Sequence, residues 1–289
     1  MKVFDILTKQ TKEMKAKDLI TLKKRTYDYI LSIPHGGTLI PVEFKSKMNL
    51  EKHILIGSDL LTEKVYKTGK GVTIASKLSS YLVDMNRFKD VSKIKKLPKH
   101  LRVDALSRLP VSNKSIPISP YNQKEKKYLL GFYDRYHSLI QESIQEMKQR
   151  CGFALLIDCH SFSSKALKNT PDKGKERPDF SLGTLDDTSA HPRIISALYK
   201  VLKDENSGLG LVVRKNNPYK GGAITRKYND PISNIHAMQL EVKESNFMNE
   251  GLEGDAKNDF KPKKEGLKLM NTIICKSLEK ASIEARKLV

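Results

Sequence analysis

An α/β fold, one central sheet covered by helices, is what this sequence predicts, and two observations carry that prediction. Short apolar, β-branched runs bounded by turn residues recur along the chain, and several end abruptly in a polar cluster. Strands that present side chains at their loop ends have this appearance. Between them lie segments whose apolar residues recur every three or four positions, the spacing of a helix with one buried face.

The strands expected in order are YDYILSIPHGG (27–37), GVTIAS (71–76), SSYLVDMN (79–86), GFALLIDCH (152–160), LGLVVRKN (209–216) and HAMQLEV (236–242). A short helix is expected to open at Ser58–Asp59, to bury Leu61, Val65 and Tyr66, and to stop at Gly69. Leu129, Tyr133, Tyr136, Ile140, Ile144 and Met147 mark a second helix, and Leu267, Met270, Ile274, Leu278 and Ala281 a third. The stretch from Lys89 to Ser119 is polar, contains prolines and reads as an irregular excursion.

A chain of 289 residues with 38% hydrophobic content can build one large core. Residues 1–289 are expected to form a single domain, because no Gly/Ser/Pro-rich linker divides them and the chemistry-bearing residues run from about 35 to 241. The first residues lack a signal-peptide core, and no run approaches the roughly 20 apolar residues that span a bilayer. A soluble, cytoplasmic protein is therefore expected. Cys151, Cys159 and Cys275 form no CxxC pair and are expected as reduced, buried thiols.

The net charge of +20 raises the question of nucleic acid. Against it, the lysines are dispersed, and neither zinc-finger spacing nor an aromatic RNA-binding motif is present. The charge reads as a solvated surface whose field attracts small acidic substrates. A basic, non-enzymatic nucleic-acid-binding role is the rival reading.

Six segments carry candidate chemistry. His35 stands where a β-branched strand meets two glycines that permit close backbone approach, and a lone histidine there serves structure more often than a metal. His160 ends a buried strand with Asp158 two positions earlier, on the same face, where that carboxylate can orient the ring. Two histidines at separate strand ends together suggest a metal, since catalytic zinc takes three protein ligands and keeps one position open. Asp59 is the preferred third ligand and Glu63, one turn on, the alternative; an acid at a helix start is also favoured by the helix dipole alone. Glu241 lies inside an apolar strand, where a charge is costly unless it is paired or functional, and a glutamate so placed can act as general base. Asn86 and Arg87 form an adjacent amide and guanidinium able to grip a carboxylate, although a surface arginine closing a strand would look the same. Tyr219 sits in a turn-rich, glycine-containing loop that suits a lid.

Taken in order, PHGG, the following SD, VDMNR, RYH, IDCHS, PDFSLGT, NNPYKGGAIT and HAMQLEV…NFMNE resemble the N-formylglutamate amidohydrolase family over residues 31 to 250. The sequence is also similar to zinc carboxypeptidases in Asn86-Arg87, His160 and Glu241, but Thr38 replaces the glutamate of their HxxE ligand pair. The resemblance implies a three-layer α/β sandwich with a mixed central sheet, zinc carboxypeptidase-like, and one Zn2+ held at the strand ends by His35, Asp59 and His160. It further implies Glu241 as general base and acid, Asn86 and Arg87 on the substrate carboxylate, and Tyr219 closing over the substrate. The implied activity is zinc-dependent hydrolysis of an N-acyl amino acid, N-formyl-L-glutamate first. Peptidase activity, or deacylation of other N-acyl amino acids, is the alternative. His137, in RYH, is expected to pack or to support the site from behind, and Asp179, in PDFSLGT, to lie near the pocket without an assigned role.

Overall fold

The computed structural model describes residues 1–48, 54–55, 57–92, 94, 97, 101–106, 119–166, 170, 172–204, 208–250 and 260–289. Two sheets form among them. The small one joins β1 (Lys2–Asp5), β2 (Thr11–Glu13) and β5 (Leu39–Pro41), all antiparallel, in the order β2-β1-β5.

The large sheet has seven strands. They are β3 (Ile20–Lys24), β4 (Ile30–Ile33), β6 (Val72–Ser76), β7 (Ala154–Phe162), β8 (Phe180–Gly183), β9 (Val213–Lys215) and β10 (Ile235–Lys243), in the order β3-β6-β4-β7-β10-β8-β9. The four central strands β6, β4, β7 and β10 run parallel, whereas β3 on one side and β8 on the other pair antiparallel to them. All nine residues of β7 are buried. That follows from the all-apolar run ALLI with helices over both faces, the burial that parallel strands require.

Six helices accompany the sheets among the described residues. α1 (Val42–Lys45), α2 (Thr62–Val65) and α5 (Ala223–Tyr228) are short. α3 (Gln123–Cys151) is the long helix marked by the expected stripe: Leu129, Tyr133, Tyr136, Ile140, Ile144 and Met147 are all buried. Its start is defined by a capping box, in which Asn122 accepts from the Glu125 amide while the Glu125 side chain accepts from the Asn122 amide; Gly152, left-handed at φ 76°, ends it. Losing such an N-cap costs about 1 kcal/mol. α4 (Pro192–Asp204) packs against α6 (Lys264–Arg286), with Ile194, Ile195, Leu198 and Leu202 buried. No helix among the described residues is long and apolar enough to cross a membrane.

Several expectations need correction. SSYLVDMN is not a strand but a series of buried turns. Leu82, Val83 and Met85 are fully buried, so the run is apolar because of packing, and Asp84 accepts the Asn86 amide at 2.8 Å, closing a turn of the backbone. The helix expected at Ser58–Asp59 begins only at Thr62, after Leu61 in a left-handed conformation. Asp59 does not cap it, because its carboxylate is turned away towards His160. Only Val213–Lys215 of 209–216 forms a strand, and of the three free thiols Cys159 alone is fully buried. Within the Lys89–Ser119 excursion, residues 93, 95–96, 98–100 and 107–118 lie outside the described residues. β8 and α4 were not foreseen.

Candidate functional site

The site lies at the carboxyl ends of the parallel strands. His35 follows β4 by two residues, His160 is the seventh residue of β7, and Glu241 is the seventh of β10. Parallel pairing places Glu241 directly beside His160. Close approach of the His35 loop depends on Gly37, where an added Cβ would fall 2.3 Å from the carbonyl carbon of Lys77.

His35, Asp59 and His160 converge, offering donor atoms that all lie within 4.8 Å of one another, a group that can hold a metal ion. Nδ1 of His160 is 2.8 Å and Nδ1 of His35 is 3.6 Å from Oδ2 of Asp59. Ligands about 2.05 Å from a tetrahedral zinc ion are separated by roughly 3.3 Å, a value these two distances bracket. Glu63, the alternative ligand, faces elsewhere and pairs with Lys23 at 2.7 Å.

The far nitrogen of each ring is backed by a carboxylate. His35 Nε2 donates to Asp84 Oδ1 at 2.7 Å, and His160 Nε2 lies 3.1 Å from Asp158 Oδ1. Such partners fix the ring orientation and leave Nδ1 aimed inward, as in sites where imidazole ligates a metal. The same carboxylates govern protonation. Burial pulls the His160 pKa down, but Asp158, Asp59 and Glu241 outweigh it and the net shift is well upward. His35 follows the same pattern through Asp84 and Asp59. Burial raises the Asp59 pKa, yet the two imidazoles prevail and hold it below the usual range.

Glu241 is buried, with Oε1 accepting from Gln239 Nε2 at 2.6 Å and Oε2 without a hydrogen-bond partner among the described residues. Burial, offset in part by His160, raises its pKa to about 7. Such a carboxylate can both take and return a proton near neutrality.

Asn86 and Arg87 reach the site by way of the buried turns. The Asn86 amide is occupied inside the protein: Nδ2 lies 2.8 Å from both Asp158 Oδ2 and His160 Nε2, and Oδ1 accepts the Ile224 amide at 2.8 Å. It therefore ties β7 to the start of α5. Gly222 makes room for it, since a Cβ there would lie 2.5 Å from Asn86 Nδ2. Arg87 is part-exposed, with Nε 3.3 Å from Asp84 Oδ2, the carboxylate that backs His35. Tyr219 accepts at Oη from Arg177 Nη2 at 3.1 Å. Arg177 was not among the residues singled out in the sequence, where RPDF offers only an arginine in a polar loop.

His137 and Asp179 stand apart from the cluster. His137 Nε2 donates to the Met85 carbonyl at 3.1 Å and Nδ1 accepts from Tyr228 Oη at 2.8 Å, so it holds up the turn that leads into Asn86. Asp179 pairs with Lys243 at 2.6 Å and accepts the Val212 amide, joining strands.

Comparison with known proteins gives the family and the fold. The family model described as N-formylglutamate amidohydrolase matches residues 27–248. The chain is 28% identical to an N-formylglutamate deformylase of Pseudomonas putida, covering 76% of this chain and 82% of that protein. It is 29% identical to the enzyme of the same name from Pseudomonas aeruginosa, over 81% and 86%. The crystal structure of an N-formylglutamate amidohydrolase from Ralstonia eutropha superimposes with a TM-score of 0.72 at 19% identity, covering 93% of this chain and 99% of that one, and so shares its fold.

Proposed function

Because the chain belongs to the N-formylglutamate amidohydrolase family, we propose that it hydrolyses the amide of N-formyl-L-glutamate, releasing formate and glutamate, with zinc at His35, Asp59 and His160. The observation that carries this reading is the convergence of two carboxylate-backed imidazoles and Asp59 beside a buried glutamate whose second oxygen is unpartnered. Two imidazoles and one carboxylate suit zinc, and three protein donors leave a fourth position for water or substrate. A zinc ion so bound would supply Lewis acidity to the acyl oxygen and to the attacking water.

The protein's own groups do the rest. Glu241 accepts the proton of the attacking water at Oε2 and returns it to the departing amine nitrogen, two transfers suited to a pKa of about 7. Asn86 keeps His160 and Asp158 in register, Arg87 takes the substrate's α-carboxylate, and Tyr219 closes over the bound molecule. Residues 35 to 241 act within one catalytic unit that spans the chain, and we place the protein in the cytoplasm.

Metal analysis of the purified protein, combined with turnover of N-formyl-L-glutamate, N-acetyl amino acids and dipeptides, tests the proposal. One zinc per chain and chelator-sensitive formate release are expected. Preferential cleavage of dipeptides would make the protein a peptidase, and absence of a bound metal with no hydrolysis of any of these compounds would end the proposal.

A further inference from the structure

Arg177 is a buried cation beside the site to which the mechanism above gives no task. Its side chain is 2% exposed, and it lies on the segment that leads into β8, anchored where the Arg177 amide donates to the Ser164 carbonyl at 3.1 Å. Asp172 accepts from Nε at 2.8 Å and from Nη2 at 2.9 Å, a two-bond grip on one edge of the guanidinium plane. The Phe162 ring lies 5.1 Å beneath the guanidinium carbon, and Tyr219 is held both by its hydroxyl and by its ring, 5.6 Å away.

These contacts fix the group on three sides and use Nε and Nη2. The remaining nitrogen, Nη1, takes part in none of them. A guanidinium carries five N–H donors in a fixed fork, so the Nη1 edge is left to face an acceptor that enters from the site. Phe162 stands two residues beyond His160 on β7 and on the same face, so the guanidinium over its ring lies beside the reaction centre. Asp59, Glu241 and Glu244 make this end of the sheet acidic and buried, so a substrate with two negative charges needs cationic donors at two places.

We infer, on the basis of the amidohydrolase reading above, that Arg177 is a specificity-determining residue: its Nη1 edge, with the Tyr219 hydroxyl beside it, receives the side-chain carboxylate of a dicarboxylic N-acyl amino acid, while Arg87 receives the α-carboxylate. Asp172 holds the guanidinium rigid from behind, so its orientation is set before the substrate arrives. The local pair is neutral overall, and selection therefore comes from aligned donors more than from net charge.

The test compares N-formyl-L-glutamate with N-formyl-L-norvaline, in which a methyl group replaces the side-chain carboxylate, in wild type, Arg177→Gln and Arg177→Lys. Wild type should prefer the glutamate compound by about 100-fold in kcat/KM, the scale of one buried charge-assisted contact, and Arg177→Gln should remove most of that preference through KM. The norvaline compound should lose far less than the glutamate compound, and unchanged metal content and thermal unfolding temperature of each variant report an intact fold and metal centre. Arg177→Lys, which keeps the charge without the planar fork, should fall between the two. An equal loss on both substrates in the Gln and Lys variants, or a preference that survives Arg177→Gln, would overturn the inference and leave the amidohydrolase reading standing. If wild type releases formate from neither compound, it is the amidohydrolase reading that fails.

Discussion

Two pairs of histidines divide this molecule. His35 and His160 stand at the strand ends; His137 is buried on α3 and His236 near the start of β10. Depth does not separate His160 from His137, which are 3% and 5% exposed, and His35 is only partly buried. Their companions do. Each ring of the first pair has carboxylates around it, and its affinity for protons rises. His137 has a backbone carbonyl and a tyrosine hydroxyl, His236 accepts a backbone amide from His191, and both are pushed down, to about 3 and about 4, chiefly by burial. A carboxylate behind the ring, more than depth in the core, separates the two imidazoles proposed to ligate a metal from the two that pack.

The widest separation between the two regions should appear on removing the proposed base, Glu241, which stands beside His160. Glu241→Gln keeps the hydrogen bond to Gln239 available but cannot take a proton, so kcat should fall about 1,000-fold with KM and bound metal little changed. Stopped-time formate release with parallel metal analysis measures both quantities. Retention of most of the turnover would remove Glu241 from the mechanism.

A smaller effect sharpens the comparison itself. Asp84→Asn leaves all three proposed ligands in place and removes the charge behind His35, to which the ring now donates at 2.7 Å, while an amide oxygen can still accept the Asn86 amide that closes the turn. Loss of that carboxylate should weaken metal binding by about 10- to 100-fold, read by competition with a chromophoric chelator. His137→Gln, of similar depth but lacking a carboxylate partner, should leave metal affinity unchanged. If the two variants bind metal equally well, the carboxylate contrast has no functional meaning.

The sequence displays these two regions unequally. Asp158 and His160 are two residues apart on one strand, so period-two alternation already aligns them, and the alternation of strands and long helices likewise exposes the fold class. The partnership of His35 with Asp84 spans 49 residues and depends on how a buried turn folds back, which no local pattern records. VDMNR reads as a strand because Val83 and Met85 are apolar, yet the backbone there turns, and what fixes it is Asp84 accepting the Asn86 amide. Asp59 reads as the preferred third ligand with a helix-start role as its competitor, and only the pairing with His160 in the folded chain shows which way its carboxylate turns. Arg177 is hidden for a similar reason: its importance arises from Asp172, Phe162 and Tyr219, which only the folded chain brings around it.

The smallest expected effect concerns the packing pair and appears in stability as a function of pH. The His137 pKa is depressed to about 3 in the folded protein, against about 6.5 for an unfolded-chain histidine. Between these values the unfolded chain binds a proton that the native protein does not, so stability rises with pH and is lost as pH falls below 6.5. The loss should approach about 1.4 kcal/mol per pH unit in the middle of the window. His137→Gln retains a donor for the Met85 carbonyl but has no proton to gain, so its stability deficit relative to wild type should shrink by that amount for each unit between pH 6 and pH 4.5. Urea unfolding at pH 4.5, 5, 5.5 and 6 reads the difference directly, with the carboxylate contributions common to both proteins cancelling. A deficit that stays constant across the series would mean that His137 is already charged in the folded state, and the division between ligating and packing imidazoles would then lose its electrostatic basis.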